Sequence, residues 1–488
     1  MSMIDVRDLT FAYDGSHDNI FENVSFQIDT GWKLGFCGRN GRGKTTFLNL
    51  LMGKHEYRGS IAASVSFEYF PFEIAEKSEN TMDVLLGIDP DFQRWELERE
   101  LSKLSVSEEA LSRPFETLSG GERTKILLAA LFLKENRFLL IDEPTNHLDL
   151  KARGMVADYL CSKKGFILVS HDRAFLDACV DHILSINKAN IEIQSGNFSS
   201  WYDNKQAQDR YELEKNAKLK KEIKRLSETA REKADWSDRV EATKIGTHQG
   251  DRGRVGHLAA KMMKRSKAIE KRKERGIEEK AKLLKNLEEA ESLKLRPLLF
   301  HAKRIAELDK VSLFYGQKQV CGAVSFCVGQ GDRIALCGKN GSGKSSVLKL
   351  LCGEGPAFSG DYYKANGLRI SYISQETSNL SGSLSDYEKL CDIDGTLFRA
   401  ILRKLDFARA QFEKDLSDYS AGQKKKVMVA RSLCERAHLY IWDEPLNYMD
   451  VLSRIQIEEL ILLYRPTMLF VEHDAAFVCG IATKTVDL

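Results

Sequence analysis

Two nine-residue stretches, GRNGRGKTT at residues 38–46 and GKNGSGKSS at residues 338–346, decide the fold of this chain. Each contains Gly-x4-Gly-Lys followed by Thr or Ser, directly after a short apolar run (KLGFC or RIALC) and before a helical pattern. Glycines let successive backbone N–H groups turn toward phosphates, the lysine reaches the terminal phosphates, and the hydroxyl ligates magnesium. The spacing predicts two phosphate-binding loops, each between a strand and a helix.

Three further motifs follow each phosphate loop in the same order. LSGGE at residues 118–122 corresponds to YSAGQ at 419–423, FLLIDEPTNHLD at 138–149 to LYIWDEPLNYMD at 439–450, and ILVSHD at 167–172 to LFVEHD at 469–474. Their apolar runs are typical of strands buried on both faces of a parallel sheet. The repeat predicts two α/β domains, one over residues 1–203, with a short helical arm near residues 72–115, and one over residues 298–488.

Acidic and histidine residues follow the predicted strands where nucleotide hydrolysis requires them. Asp142 and Asp443 each close a strand, where a carboxylate can bind magnesium through its water shell. The next residue in each copy is a glutamate that can polarise an attacking water, and the histidine after the following strand can contact the γ-phosphate. The predicted catalytic residues are Glu143, Glu444, His171 and His473.

The composition argues against several classes of protein. Apolar residues make up 43% and charged residues 30% of the 488 residues, as in globular proteins. The longest apolar run, residues 126–133, is far shorter than the roughly 18 residues of a membrane helix, and the N-terminus lacks a signal-peptide pattern. The ten cysteines, Cys37 and Cys337 among them, contain no C-x-x-C pair and are expected to be small buried packing residues. We expect a cytoplasmic protein without a transmembrane span.

A basic segment separates the two copies. Residues 205–296 contain 27 Lys and Arg against 17 Asp and Glu, a net charge of +10, whereas the rest of the chain carries −8. Apolar residues at three- to four-residue steps predict two long helices, and glycines between residues 246 and 256 predict a joining loop near residues 240–257. We expect an antiparallel hairpin over residues 204–297. A solvated coiled coil also fits this composition, but the lysine and arginine clusters at residues 261–267 and 271–275 favour a probe for a phosphate-rich groove.

The chain resembles the ATP-binding cassette superfamily, because LSGGE and YSAGQ match its signature loops. The resemblance implies that the signature of each cassette seals the ATP bound by the other, and that Tyr13 and Tyr315 stack on adenine. The residues expected to bind ATP are Tyr13, Gly38, Asn40, Gly41, Gly43, Lys44, Thr45, Thr46, Ser119, Gly120 and Gly121 from the first copy, and Tyr315, Gly338, Asn340, Gly341, Gly343, Lys344, Ser345, Ser346, Ser420, Ala421 and Gly422 from the second. The residues expected to serve Mg²⁺ are Thr45, Asp142, Ser345, Gln375 and Asp443.

Two tandem cassettes without a membrane span, joined by a charged helical linker, resemble the ABC-F subfamily. TGWKLGFCGRNGRGKTT, QRWELEREL, ETAREKADWS, KRSKAIEKR and IWDEPLNYMD are similar to its antibiotic-resistance branch. That resemblance implies a partner, the bacterial 70S ribosome, into which the linker enters through the exit site to displace a tRNA and a drug of the lincosamide, streptogramin A or pleuromutilin type. The residues expected to contact rRNA or tRNA are Trp236, Lys244, His248, Arg252, Arg254, His257, Lys261, Lys264 and Arg265. Trp236 equally suits packing within the helix pair, and a housekeeping translation factor or the ATPase subunit of a transporter remain alternatives.

Departures from the family pattern separate the two expected ATP sites. Gln375 in SYISQE matches the glutamine that the family has after this strand, whereas YFPFE has Phe72 there. The second signature has Tyr419 for leucine and Ala421 for the first glycine. Since signatures act on the opposite cassette, Phe72 and Ala421 are expected in the same site, with Lys44, Glu143 and His171. We hypothesise that this site hydrolyses ATP more slowly than the other, unless neighbouring residues compensate.

Overall fold

The structure is a computed structural model, which describes residues 2–13, 19–72, 74, 79–90, 93–134, 136–146, 148–187, 190–242, 295–339, 341–378, 380–405, 407, 409–447 and 449–488. The chain divides into two compact units, Met1–Trp201 with Glu291–Leu488, and Tyr202–Ala290. The first unit contains both copies of the repeat, which we call the first and second cassettes. The predicted second linker helix and the loop near residues 240–257 lie outside the described residues.

The first cassette combines a mostly parallel sheet with a small antiparallel sheet. Among its described residues the strands are β1 (Met3–Phe11), β2 (Phe21–Asp29), β3 (Lys33–Cys37), β4 (Arg58–Ala63), β5 (Ser66–Phe70), β6 (Arg137–Asp142), β7 (Phe166–Val169), β8 (His182–Asn187) and β9 (Asn190–Ser195). The large sheet has the order β5-β6-β7-β3-β8-β9, parallel except for the final pair, and the small sheet has the order β2-β1-β4.

Helices cover both faces of this sheet and form a separate helical region. They are α1 (Lys44–Leu51), α2 (Thr81–Ile88), α3 (Arg94–Lys103), α4 (Gly120–Leu133), α5 (Leu150–Cys161) and α6 (Arg173–Cys179), with 3₁₀ turns at Glu108–Ser112 and Phe115–Thr117. A long helix, α7 (Phe198–Ala242), follows β9. It lies where the first linker helix was predicted.

The second cassette repeats this arrangement. Its strands are β10 (Arg304–Tyr315), β11 (Lys318–Gly329), β12 (Arg333–Cys337), β13 (Ala357–Lys364), β14 (Ile370–Ile373), β15 (Leu439–Asp443), β16 (Met468–Val471) and β17 (Lys484–Asp487). Its helices are α8 (Lys344–Cys352), α9 (Leu384–Leu390), α10 (Gly395–Lys404), α11 (Ala421–Cys434), α12 (Val451–Tyr464) and α13 (Ala475–Ile481), with 3₁₀ turns at Arg409–Glu413 and Leu416–Asp418. The parallel sheet has the order β14-β15-β16-β12-β17, and the antiparallel sheet has the order β11-β10-β13. The prediction of two tandem α/β cassettes is confirmed.

The predicted buried strands form the centre of each core. Every residue of β7, β15 and β16 is buried, as expected for strands covered on both faces. All ten cysteines are free thiols, and Cys37, Cys179 and Cys321 are buried. Burial was a wrong expectation for Cys161 and Cys479, which are exposed, and Cys337 is only partly buried. Cys161 is the last residue of helix α5.

A buried carboxylate ties the helical region of the first cassette to its sheet domain. Glu100 on α3 is 2% exposed and receives hydrogen bonds from Lys103 and from Lys163, which follows α5. Burial raises the pKa of Glu100, but the hydrogen bonds from Lys103 and Lys163 outweigh it and lower this pKa to about 2. The folded cassette therefore favours the charged carboxylate.

We predict that Glu100→Gln lowers the free energy of unfolding by about 2 kcal/mol at neutral pH, because charged hydrogen bonds are lost. The pKa of Glu100 in the folded protein lies below its ordinary value of 4.5. Its stabilising effect is therefore complete above that value and disappears as the pH falls toward 2. Urea denaturation of both proteins across this pH range measures the difference.

Glu98→Gln is the matched control, because Glu98 lies on the same helix but pairs only with the exposed Arg94. Its loss should change the unfolding free energy by less than about 1 kcal/mol. Equal effects of the two substitutions would contradict a special contribution from Glu100.

Candidate functional site

The strand order brings the predicted functional residues into one row in each cassette. In the first cassette β5, β6, β7 and β3 are neighbours, and in the second β14, β15, β16 and β12 are neighbours. Parallel strands end at the same edge, so the segments that follow them lie side by side there. Gln375, Glu444, His473 and the phosphate loop of the second cassette consequently meet, although the phosphate loop and His473 are more than 100 residues apart in the sequence.

The phosphate loops have the backbone that their glycines permit. Gly43 and Gly343 have φ angles of 96° and 93°, in the left-handed region that side chains disfavour. A Cβ atom on Gly43 would also lie 2.5 Å from Cγ2 of Ile20. Helices α1 and α8 begin immediately afterwards, at Lys44 and Lys344, with their N-termini directed to the loop as the sequence predicted.

Both phosphate-loop lysines are buried and bound to their own loop. Lys44 Nζ donates to the carbonyl oxygens of Gly38 and Arg39 and to Oδ1 of Asn40, at 2.7, 3.2 and 3.2 Å. Lys344 Nζ donates to the carbonyls of Gly338 and Lys339 at 2.9 and 2.8 Å. Burial lowers the pKa of both ammonium groups. A polyphosphate would supply the opposite charge that these buried cations lack.

The glutamate after each central strand has an unusual backbone conformation. Glu143 and Glu444 have φ angles of 50° and 48°, yet neither is glycine. Their N–H groups donate to the carbonyl oxygens of Val169 and Val471 in the neighbouring strand, at 2.9 and 3.0 Å. Such backbone strain, of order 1–3 kcal/mol, is found most often at functional sites. This backbone conformation directs each glutamate side chain toward the other functional residues at the strand ends.

Glu444 is surrounded by hydrogen-bond donors. Gln375 Nε2 and Asn447 Nδ2 donate to its Oε2 at 3.0 and 2.7 Å, and His473 Nε2 lies within hydrogen-bond distance of its Oε1 at 3.3 Å. Burial raises the pKa of Glu444, but the hydrogen bonds from His473 and Gln375 lower it by a larger amount. The pKa of Glu444 is therefore below its ordinary value. Glu444 is therefore charged and oriented, as an acceptor of a proton from water must be.

Glu143 lacks this support. Its Oε1 is buried without a hydrogen-bond partner and lies 3.3 Å from His171 Nε2, too poorly aligned to bond. Burial, and secondarily the charge of Asp142, raise the pKa of Glu143 to about 8, and burial lowers the pKa of His171 well below its ordinary value. Phe72 occupies the register position of Gln375, since Phe70 and Ile373 pair with equivalent residues of the next strand. The surroundings of Glu143 therefore favour its protonated form, although a hydrogen bond from the His171 backbone opposes this, whereas those of Glu444 favour the charged form.

The two aspartates also differ as candidate ligands for a cation. Among the described residues, both carboxylate oxygens of Asp443 are buried without a close hydrogen-bond partner, although the Ser345 hydroxyl is near enough to lower the Asp443 pKa, and Ser345 and Gln375 line the adjacent cavity. An acceptor-only group in this condition fits a hard divalent cation such as Mg²⁺. Asp142 Oδ2 instead accepts hydrogen bonds from Tyr69 at 2.9 Å and Thr45 at 3.4 Å. The residues present therefore fit a metal better in the second cassette.

A cavity of about 480 Å³ lies between the cassettes at the second phosphate loop. Gly120, Asn146, Leu148 and Arg153 of the first cassette line it, together with residues of the second, which are Val320, Gly341, Gly343, Lys344, Ser345, Ser346, Gln375, Glu444, Asn447 and His473. Gly120, in the signature of the first cassette, thus lies opposite the phosphate loop of the second cassette, as the superfamily resemblance implied.

Charged residues cross the interface at both sites. Arg153 Nη1 donates to the carbonyl of His473 at 2.9 Å, and its own cassette's Asp172 accepts from the same nitrogen at 2.8 Å. Burial lowers the pKa of Lys44 in the first cassette, and the charge of Asp450 in the second cassette partly opposes this effect. Arg173 of α6 forms an ion pair of 2.5 Å with Glu458 of α12. The cassettes therefore meet closely around both phosphate loops.

The signature motifs are helix starts. Ser119 caps α4 and accepts from Glu122 N, while Glu122 accepts from Ser119 N, and Ser420 and Gln423 do the same for α11. This reciprocal capping box explains why serine and an acid or amide lie three residues apart. Gly120, Gly121, Ala421 and Gly422 form the first turns of the two helices, whose free N–H groups suit a phosphate.

The predicted adenine-stacking tyrosines lie at the surface. Tyr13 is 44% exposed, its hydroxyl lies 2.8 Å from Thr46 Oγ1, and its ring contacts His55 edge-on at 5.7 Å. Tyr315 is 50% exposed and does not line the cavity, whereas Val320 does. Their stacking role stays a prediction.

Some predicted site residues lie outside the described residues. They are Asn340 in the phosphate loop and Lys244, His248, Arg252, Arg254, His257, Lys261, Lys264 and Arg265 in the linker. Trp236 lies within α7, and Gly41 and Gly341 both have a φ of 82° in their loops. The linker contacts stay predictions from the sequence.

Sequence reasoning missed several residues of the site. Asn447, Asn146, Leu148 and Arg153 line the cavity, and the repeated NHLD and NYMD tetrapeptides were the available signal for three of them. Arg153 has its counterpart in Arg454, which pairs with Asp474 at 3.2 Å, but a lone arginine four residues after an aspartate carries no distinctive pattern.

Comparison with known proteins identifies the family. The sequence model of the family described as "ABC transporter" matches residues 21–146 and 321–447, more than half of the chain. The chain belongs to the ABC transporter family. Because ABC ATP-binding domains are ATPases, this ABC protein binds and hydrolyses ATP. Among its described residues, no helix has both the length and the apolar character needed to cross a membrane.

Relatives of this ABC protein align with nearly all of this chain, which spans about three quarters or more of their own lengths. The ribosome protection protein VmlR of Bacillus subtilis (strain 168) is 27% identical over 96% of this chain and 83% of its own. The probable ATP-binding protein YheS of Escherichia coli (strain K12) is 26% identical over 93% of this chain and 74% of its own. The archaeal ribosome recycling factor aABCE1, solved with the stalk protein aP1, has a TM-score of 0.63 over 98% of this chain and 87% of its own, at 18% identity. The last likeness shows a shared fold alone.

We predict that Glu444→Gln lowers steady-state ATP hydrolysis about tenfold more than Glu143→Gln, because Glu444 is charged and held by Gln375, Asn447 and His473. Phosphate release and single-turnover hydrolysis of the two variants measure this ratio. Gln375→Phe, which copies Phe72, should lower the second-site rate without preventing nucleotide binding. Equal losses in the two glutamine variants would contradict the asymmetry.

Proposed function

We propose that this protein is an ATPase of the ABC-F type that binds the bacterial 70S ribosome and protects it from antibiotics acting at the peptidyl-transferase centre. Its similarity to a ribosome protection protein over 96% of the chain carries the proposal. The segment at residues 205–296, with a net charge of +10 in a chain whose remainder carries −8, gives the rRNA-binding surface such a role requires. The cytoplasm is the compartment in which it meets its partner.

Both ends of the linker are anchored in the unit that contains the cassettes. Phe198 and Trp201 at the start of α7 are 2% and 6% exposed, and Ser199 N and Oγ donate to the Asp177 carboxylate at 2.8 and 2.5 Å. After the linker, Leu295 is 2% exposed in the core of the second cassette, and Leu298 N donates to Ala437 O at 2.8 Å. Movement of one cassette against the other therefore moves one linker end relative to the other.

ATP binding supplies the driving force in this proposal. A γ-phosphate between Lys344 and the first turn of α4, at Gly120, attracts both and favours the closed arrangement of the cassettes. Glu444 accepts a proton from the attacking water, and His473 donates a hydrogen bond to the γ-phosphate. Bound Mg²⁺ would neutralise charge on the transferring phosphate, with Asp443 and Ser345 as the residues that hold it. Hydrolysis removes the bridge, and the protein leaves the ribosome.

The linker carries recognition. Helix α7 has 45 residues, which corresponds to a length of about 67 Å. A basic hairpin of such length can follow an rRNA groove from the subunit interface inward, and its residues near 240–260 displace the tRNA and drug. Trp236, Lys244, His248, Arg252 and Arg254 are the foremost candidates for RNA contact.

We predict that the double variant Glu143→Gln, Glu444→Gln pellets with 70S ribosomes in the presence of ATP, because it binds but does not hydrolyse the nucleotide. Sedimentation through a sucrose cushion, with and without ATP, measures the association. The matched control adds Lys44→Ala and Lys344→Ala, which remove the phosphate-binding charge and should abolish pelleting. Recovery with membranes instead of ribosomes would overturn the proposal in favour of a transporter subunit. Ribosome binding without any change in drug susceptibility would indicate a housekeeping factor.

We predict that Arg252→Glu with Arg254→Glu lowers ribosome association at least about tenfold, because each lost phosphate contact weakens binding and the new carboxylates repel RNA. ATP binding, measured with a fluorescent nucleotide, should be unchanged. The charge-matched control is Lys389→Glu with Arg369→Glu, at exposed positions of the second cassette. If the two pairs have the same effect on association and on growth with the drug, the linker tip has no special role.

A further inference from the structure

A buried lysine that the first cassette lacks lies on the signature helix of the second cassette. Lys425 of α11 is 2% exposed, and the corresponding residue of α4 is Thr124. Its Nζ donates to the carbonyl of Ser374 at 2.9 Å and to the carbonyl of Asp443 at 3.2 Å. The next residues along the chain after these two acceptors are Gln375 and Glu444. Lys425 therefore binds the backbone on which the two hydrogen-bonded side chains of the second ATP site stand.

The two contacts determine how those segments are spaced. Gln375 Nε2 and Glu444 Oε2 are 3.0 Å apart, a distance that depends on the separation of the β14 and β15 ends. Hydrogen bonds from an ammonium group are roughly twice as strong as hydrogen bonds between neutral groups. Lys425 thus joins these ends by side-chain bonds, in addition to the strand pairing that stops at Ile373.

A second replacement accompanies the lysine. The second cassette has Glu472 where the first has Ser170, and Glu472 is 4% exposed. Its Oε1 accepts from Leu446 N at 2.8 Å, and its Oε2 accepts from His473 N at 3.2 Å. Burial lowers the pKa of Lys425, and the charges of Asp443, Glu472 and Glu444 oppose this. A buried lysine and a buried glutamate of the second cassette therefore correspond to two neutral hydroxyl residues in the first.

The same helix faces the other ATP site. Lys426, the neighbour of Lys425, lies 3.7 Å from Asp450, and the charges of both Lys426 and Asp450 act on the pKa of His171 in the first cassette, after the larger effect of burial. The first turn of α11, at Ser420 and Ala421, is the second cassette's signature. Helix α11 consequently touches the catalytic backbone of one site through Lys425 while its neighbouring residue lies within electrostatic range of the other.

We propose that Lys425 is a positioning residue that couples the two ATP sites, by transmitting the position of α11 to Gln375 and Glu444. Nucleotide bound at the Lys44 site attracts the start of α11, and the two Lys425 hydrogen bonds carry the resulting shift to the Glu444 site. In the first cassette Thr124 has no ammonium group, and its hydroxyl bonds back to Gly120 O at 3.0 Å within its own helix. Coupling therefore runs from the Lys44 site to the Glu444 site. This inference rests on the ATPase activity and is independent of ribosome binding.

The first test measures turnover at the Glu444 site alone, in the Glu143→Gln background. Lys425→Thr should lower kcat about tenfold or more and change KM less than about threefold, because alignment of Gln375 and Glu444 is lost while the phosphate loop is intact. Lys425→Arg keeps a charged donor and should recover most of kcat. A rise in KM with kcat unchanged would overturn a positioning role.

A second variant separates positioning from folding. Lys425→Thr removes one positive charge that interacts with Glu472, so reduced stability alone could lower activity. The double variant Lys425→Thr, Glu472→Ser reproduces the hydroxyl pair of the first cassette and should recover the melting temperature while kcat stays low. Recovery of kcat together with stability would show that Lys425 acts through folding only and would overturn the inference.

The coupling itself is measured by emptying the other site. Glu143→Gln retains nucleotide at the Lys44 site, whereas Lys44→Ala does not bind it, so the ratio of their second-site kcat values reports coupling. We expect a ratio of about five or more with Lys425 and close to one with Lys425→Thr. An unchanged ratio in the Lys425→Thr pair would contradict transmission through this residue.

Discussion

The parallel hydrogen-bonding of β6, β7 and β3, and of β15, β16 and β12, is the constraint on which the rest of this structure depends. Parallel strands end together, and the phosphate loop, the glutamate and the histidine of each ATP site lie in segments that follow these ends. The φ angles near 50° at Glu143 and Glu444 are tolerated because their N–H groups bond to the neighbouring strand. Without that pairing, the carboxylates would have no fixed position relative to the phosphate loops.

The two sites share a backbone but differ in how their carboxylates are satisfied. Glu444 accepts from an amide on each side and has His473 nearby, whereas Glu143 is buried with Oε1 unbonded. A buried carboxylate without donors becomes protonated, since burial disfavours its charge. Tyr69 adds to the difference, because its hydroxyl occupies Asp142 Oδ2, while both oxygens of Asp443 are available. These differences support the hypothesis that the site of Glu143 hydrolyses ATP more slowly than the site of Glu444.

A difference in hydrolysis rate between the two ATP sites would give the cycle a fixed order of events. A slowly hydrolysing site that keeps its ATP would hold the cassettes together while the other site completes its cycle. The linker ends are attached through Phe198 and Trp201 on one side and Leu295 on the other. Any change in the separation of the cassettes therefore acts on the base of the helical segment. In the proposed function, ATP binding and hydrolysis at the strand ends change the position of the basic hairpin in this way.

The sequence by itself determined the repeat, the two phosphate loops, the buried strands and the residues at the strand ends. Local rules account for this, because glycine spacing, apolar runs and the Ser-x-x-Glu capping pattern act within a few residues. Only the tertiary structure decided that Gly120 lies across the cavity from Lys344 and that Asn447 joins Gln375 as a hydrogen-bond donor to Glu444. The same is true of Lys425, whose side chain reaches backbone carbonyls 51 and 18 residues away in the sequence. Those contacts join segments distant along the chain, and their geometry arises from strand order and helix packing, which a pattern read along one sequence does not contain.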